Sequence, residues 1–326
     1  MNDLYFISAQ PDIPYFHWQV ELYIHNFLQK GIKLENIIVL FGIVDGNTKP
    51  HVNSIDLVRR GVRVYYYIDD RPKKHYIPSL KPYLMYRFLK DFPEYGKKIF
   101  FHDSDIIFRD LPEFEDLMND DTCYLSNTNG YLNYDYLLNC SQRYQKKHEN
   151  YKDNELINKM CYIVGIEPGI LQKNNNDSGG AQYLLKDVSW EMWLKIYRDS
   201  IRLYDYLMTL AKDYPLESGH IQFWTAEMWS TLWNFWYFGK TLKVSDLLDF
   251  SWATDNLNEY KKKKILPLAG VTEQNKDDKF FKGGFINQNP IEQLFNNPNY
   301  FDYINKSNAT IKYIELMKSY LKKPTF

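Results

Sequence analysis

Ile99-Phe100-Phe101-His102-Asp103-Ser104-Asp105-Ile106-Ile107-Phe108 carries an apolar strand into two carboxylates one residue apart, then turns apolar again. Two aspartates so close at a drying strand end repel each other unless a cation compensates. Hard oxygen ligands with open positions suit Mg2+ or Mn2+, which also bind phosphates. The competing reading is a strand-end turn with two solvated carboxylates, because Asp-x-Asp is a common tripeptide. A turn that only faces water does not need Ile106, Ile107 and Phe108 to return it to a core.

Outward from this stretch, strands and helices alternate. Leu4-Tyr5-Phe6-Ile7, Ile37-Ile38-Val39-Leu40-Phe41 and Val62-Arg63-Val64-Tyr65-Tyr66-Tyr67-Ile68 read as strands, the last ending at Asp69-Asp70. Between the first two, Phe16, Val20, Tyr23, Ile24, Phe27 and Leu28 recur at helical spacing and Gly31 supplies a stop. Pro78 and Pro82 bracket the start of a helix carrying Leu84, Met85, Phe88 and Leu89. This alternation predicts an α/β fold with a mostly parallel sheet and flanking helices. Such sheets place ligands beyond the carboxyl ends of their strands, where Ser8, Asp69-Asp70 and Asp103 to Asp105 fall. The C-terminal half reads as helix-rich. It offers a strand at 122–126, a polar helical stretch at 134–160, and a loop around Asn174-Asn175-Asn176 and Gly179-Gly180. Helices at 190–210 and 221–238, an apolar run at 265–271 and a last helix near 311–321 complete it.

Composition narrows the function classes. Forty Lys and Arg against 41 Asp and Glu leave a formal charge of −1 in 326 residues, which argues against a general nucleic-acid binder. Hydrophobic content of 44% and charged content of 25% exclude disorder as the main state. Aromatic content of 17% is high, and composition alone does not divide it between core and ligand-stacking surface. Cys123, Cys140 and Cys161 are widely spaced with no Cys-x-x-Cys pair, so neither a disulfide framework nor a zinc ribbon is expected. The N-terminal residues lack a basic region followed by a long apolar one, and no segment is long and apolar enough to span a bilayer, so a cytoplasmic location without membrane insertion is expected.

Lys97 to Phe108, placed after several strand–helix alternations, resembles the Asp-x-Asp element of GT-A-fold glycosyltransferases, and the preceding Ser79 to Leu89 resembles the helix such enzymes place before it. Asn175-Asn176-Asp177-Ser178-Gly179-Gly180-Ala181-Gln182-Tyr183 and Trp224-Thr225-Ala226-Glu227-Met228-Trp229 are similar to stretches of the hydroxyproline arabinosyltransferase-like group. The likeness spans roughly residues 3–285, but only these short patches are specific. It implies a GT-A-like fold in one continuous domain, with 1–125 as the nucleotide-sugar-binding half and 126–326 as the acceptor-binding, helix-rich half. It further implies a divalent cation, Mn2+ or Mg2+, on the donor diphosphate, with Asp105 on the metal and Asp103 on the metal or the ribose.

On this resemblance Ser8, Gln10, Lys81, Ser104, Gly270 and Lys282 are the candidate nucleotide contacts, against the competing reading of surface polar residues or a plain glycine turn. Glu227 and Asp177 are the acid–base candidates, and Trp224 and Trp229 the rings for sugar stacking; Trp233 and Trp236 read as core. One departure stands out. Ile265-Leu266-Pro267-Leu268-Ala269-Gly270-Val271 carries proline where related enzymes often have a metal-binding histidine. Water, diphosphate, His102 or His220 would then complete the coordination, or metal dependence is weak or lost. The expected activity is sugar transfer from a nucleotide-sugar, UDP-sugar favoured, to a hydroxyl on a glycan, protein, small molecule or hydroxymethylated DNA base. A nucleotidyltransferase is one alternative, although Ser8-Ala9-Gln10-Pro11-Asp12 has no glycine-rich phosphate loop. A non-catalytic carbohydrate- or protein-binding module is the other.

Overall fold

The computed structural model describes residues 3–152 and 154–326; Met1 and Asn2 of the N-terminal reading and Asp153 of the polar helical stretch lie outside the described residues. Tyr5–Pro11 (β1), Ile37–Ile43 (β2) and Arg63–Ile68 (β3) pair in parallel, β1 with β2 and β2 with β3. Every residue of β2 is buried, as an apolar run covered on both faces must be. Pro14–Gln29 (α1) and Val52–Arg59 (α2) make the crossovers. Pro14 opens α1, where its missing N–H would be unpaired anyway. Gly31, with φ at +86°, adopts the left-handed conformation that closes the helix.

Leu80–Asp91 (α3) leads into Lys98–His102 (β4), followed by Ile106–Phe108 (β5), Cys123–Ser126 (β6), Gly180–Lys186 (β7), Leu242–Val244 (β8) and Ile265–Pro267 (β9). The central sheet has seven strands in the order β3-β2-β1-β4-β7-β6-β8. β6 is antiparallel to β7 and parallel to β8, while β5 and β9 form a separate antiparallel pair. The fold is therefore a mixed α/β one, with a mostly parallel central sheet flanked by helices. No helix among the described residues is long and apolar enough to cross a membrane.

Two compact units interleave along the chain. One comprises Met1–Asp69, Phe100–Asp116 and Leu247–Phe326; the other comprises Asp70–Ile99 and Leu117–Asp246. In the first, the C-terminal segment returns to build a core in which Phe280, Phe285, Tyr313 and Met317 meet Trp18 and Leu22 of α1, Ile107 of β5 and Leu266 of β9. In the second, the helices Trp190–Asp213 and Ala226–Tyr237 pack together, with Trp193 edge-on to Phe235 at 5.7 Å between ring centres.

Several elements differ from expectation at their bounds: β1, read as ending at Ile7, runs on to Pro11. The stretch at 134–160 is two helices, Tyr134–Lys147 and Glu155–Val164, with Asn154 at φ +54° before the second. The stretch at 221–238 is an α-helix only from Ala226, after a 3-10 turn at Phe223–Thr225. The apolar run at 265–271 is extended only to Pro267, and Gly270 turns it at φ +92°.

Candidate active site

Asp103-Ser104-Asp105 is the turn between two buried strands, β4 and β5. Its backbone is held by distant parts of the same unit. β5 pairs with β9, Ile106 lies opposite Pro267, and the Leu268 amide donates to the Asp105 carbonyl at 2.9 Å. The buried Tyr313 hydroxyl bonds both that carbonyl and the Leu266 carbonyl, the second at 2.8 Å. Ser104 Oγ donates to Gln19 Oε1 at 3.0 Å, and Gln19 Nε2 donates to the Tyr15 carbonyl at 2.7 Å, which ties the turn to α1.

So held, the buried Asp105 carboxylate meets the Lys282 ammonium in an ion pair. Lys282 opens the 3-10 turn Lys282–Phe285. A Cβ on Gly283 would stand 2.3 Å from the Phe281 ring, so a residue without a side chain lets this turn close. Burial pulls the Lys282 pKa down, but the charge and hydrogen bond of Asp105, with Tyr15 and Asp103, together outweigh it and hold Lys282 above the ordinary lysine value. The Tyr15 phenol lies in the same field: burial raises it, Lys282 lowers it and Asp105 raises it.

The residues around this turn do not fit a divalent ion. Asp105 already carries an ammonium, and a dication on the same oxygens would face its repulsion. Pro267, beside the turn, has no side-chain donor. His102 is boxed by the Tyr23, Phe27 and Phe100 rings at 5.0–5.6 Å, with Nδ1 on the Asp103 carbonyl at 2.8 Å and Nε2 buried without a partner. Burial pulls His102 down to about 4, so it is a neutral core residue. In the other unit, the His220 nitrogens are engaged by Tyr144 and Leu216. Among the described residues, no group of three or more His, Cys, Asp or Glu side chains is placed to hold a metal.

Several expected contacts face inward instead. Ser8 is fully buried and its hydroxyl bonds Tyr23 at 2.8 Å, because strand alternation turns it into the sheet–α1 interface rather than toward a ligand. Ser104 is likewise committed to Gln19. Gln10 donates to the Leu40 carbonyl at 3.1 Å, leaving Oε1 buried and unpartnered. Gly270 is an exposed turn residue whose Cβ would touch Trp252 at 3.4 Å. Sequence reasoning missed Asp12, just beyond β1. This buried carboxylate takes His17 Nε2 at 2.7 Å and the His51 amide at 2.7 Å, fixing the strand end. Only its position after a strand, ahead of Pro14, marks it in the sequence.

The second unit contains the remaining candidates. Glu227 is 2% exposed, paired with Lys81 at 3.1 Å and bonded by Thr231 Oγ1 at 3.2 Å. The Tyr76 hydroxyl accepts from the Glu227 amide at 2.9 Å and donates to the Trp224 carbonyl at 2.6 Å, bracketing this helix start. Trp224 is 58% exposed, whereas Trp229 is fully buried and cannot stack on a ligand. Asp177 is a clamp rather than an open acid: one oxygen takes Lys243 at 2.6 Å, the other the Val244 amide at 3.2 Å. Beyond it, a Cβ on Gly179 would meet the Ser126 carbonyl at 2.5 Å, and Ala181 sits at φ +68°, a strained value for a residue with a side chain.

No family model matches the chain, and no curated protein matches its sequence. Among solved structures, the chain is similar to the apo WbbM bifunctional glycosyltransferase, with a TM-score of 0.46 at 12% identity over 92% of this chain and 51% of that one. It thus spans about half of WbbM's length. A glycosyltransferase involved in glycosylation of the major capsid of PBCV-1 aligns with a TM-score of 0.37 at 8% identity, over 82% of this chain and 94% of that one. Mouse xyloside xylosyltransferase 1, in its apo form, gives 0.38 at 11% identity, over 82% and 98%. At these TM-scores the likeness carries no functional assignment.

Proposed function

We propose that the chain is a glycosyltransferase that binds a nucleotide-sugar, UDP-sugar favoured, at the Asp103-Ser104-Asp105 turn and moves the sugar to a hydroxyl acceptor. The observation that supports this most is the Lys282–Asp105 pair at the carboxyl end of β4, a fixed cation where a parallel sheet receives ligands. In the reaction the bond from the anomeric carbon to the diphosphate oxygen breaks, leaving its electron pair on that oxygen. The acceptor oxygen bonds the anomeric carbon, and the acceptor's proton ends on the released diphosphate or in solvent. Charge therefore grows on the diphosphate, and a preorganised ammonium offsets it. Asp103 suits the ribose hydroxyls as a hydrogen-bond acceptor. Glu227 is proposed as an acid–base group and the 58% exposed Trp224 ring as a sugar-stacking face.

The test is release of nucleoside diphosphate from a panel of UDP-, GDP- and dTDP-sugars, followed with and without added hydroxyl acceptors. Release by the wild-type chain that the Lys282→Met variant lacks supports the reading. A chain that neither binds nor cleaves any of these donors is not a transferase of this kind.

A further inference from the structure

We infer that the donor site works without a metal, with Lys282 as the resident cation and Asp105 as the residue that positions it. This inference rests on the glycosyltransferase reading and deepens it. A divalent ion needs open oxygen ligands. Here the buried Asp105 carboxylate carries an ammonium, the neighbouring residue of β9 is Pro267, and the histidine within the turn's own strand is locked among aromatic rings. A lysine ammonium has three N–H donors, and the pair with Asp105 engages one carboxylate oxygen, Oδ2. The Lys282 side chain is 31% exposed, so its charge remains open to a ligand. The anchoring of the turn by Tyr313, Leu268 and Gln19 fixes Asp105, and Asp105 fixes the ammonium.

The arrangement has a consequence opposite to that of a metal site. When two aspartates hold a metal, removing one weakens the grip on diphosphate. When Asp105 only positions a lysine, its negative charge repels the diphosphate it helps to receive. Neutralising Asp105 then leaves binding intact or tightens it, at the expense of how well Lys282 is aimed during transfer.

Calorimetric titration of UDP, GDP and dTDP decides this, using wild type, Asp105→Asn and Lys282→Met, each in chelator and in Mn2+. The expected result is a wild-type nucleotide affinity that is equal in the two buffers within about threefold. Asp105→Asn should bind as tightly or more tightly, and Lys282→Met should weaken binding by about 10- to 100-fold. Binding that requires Mn2+ and is abolished in Asp105→Asn overturns the inference while leaving the transferase reading standing. No binding of any of the three nucleotides in either buffer overturns both. The chelator comparison and Asp105→Asn keep the test decisive even if Lys282→Met is poorly folded.

Discussion

Lys186 and Lys282, one in each compact unit, both meet an aspartate at a strand end, yet they are built for different work. Lys186 closes β7 with its ammonium bonded to the Leu117 carbonyl at 2.5 Å, the Asp120 carbonyl at 2.6 Å and Asp120 Oδ1 at 2.9 Å. Its side chain is 5% exposed, so this cation is saturated and dry, and it ties three points of one unit together. Lys282 meets a single carboxylate, and 31% of its side chain stays open. An ammonium whose donors are all matched holds a fold; one with donors in reserve suits the proposed ligand role. Lys81 lies between these extremes, with a buried carboxylate partner and 24% of its own side chain exposed.

The sharpest way to break this contrast is Lys282→Met. Removing a preorganised donor from a developing oxyanion costs about 100- to 1000-fold in turnover. Donor cleavage per folded molecule should fall on that scale, while the thermal midpoint drops only by what the unpaired Asp105 carboxylate costs. If Lys282→Met instead loses its fold, the two lysines are the same kind of device. Glu227→Gln probes the intermediate pair. A lost proton acceptor should lower kcat by about 100-fold and leave the donor KM unchanged. An unchanged kcat in acceptor-dependent transfer makes the Lys81–Glu227 pair structural.

Lys186→Met should show the reverse pattern to Lys282→Met. It strips donors from one buried and one partly buried carbonyl, a loss of about 1–3 kcal/mol of stability. A lower denaturation midpoint with normal turnover per folded molecule is expected, and normal stability would contradict the structural role. The smallest effect concerns acid. The hydrogen bond from Lys186, aided by one from Tyr124, holds Asp120 down to about 2. A carboxyl depressed in the folded state stabilises fully above its unfolded pKa of about 4, and that contribution fades as pH falls through about 2. Wild type and Asp120→Asn should therefore differ by a constant stability increment from neutral pH to about 4, converging near 2. Because Asp120 is half exposed, the increment is small. A difference that grows on acidification reverses the predicted sign.

The sequence carries these features unevenly. The unbroken apolar run of β2 announces a buried parallel strand, and the apolar flanks of Asp103 to Asp105 announce a turn held in a core. The partners of that turn are invisible locally. Tyr313 reaches the Asp105 carbonyl from 208 residues away, and nothing in its neighbourhood marks it. Ser8 is misread because the strand is read as ending at Ile7, whereas β1 runs on to Pro11 and keeps Ser8 inside the sheet, bonded to a tyrosine on the adjacent helix. Trp229 is misread because a ring two residues from Glu227 in sequence looks like a sugar wall, when the folded helix turns it into the core. Lys282 is suggested by the glycines that follow it, but its choice of Asp105 as partner is a property of the folded chain.

Phosphorus NMR of UDP in chelator-treated buffer tests the central claim most directly, because the β-phosphate resonance reports on the cation beside it. Wild-type protein is predicted to shift and broaden that resonance without metal, and Lys282→Met, confirmed as folded, is predicted to leave it unmoved. Equal perturbation by both proteins, or perturbation by wild type only after Mn2+ is added, would contradict the assignment of Lys282 as the diphosphate's cation.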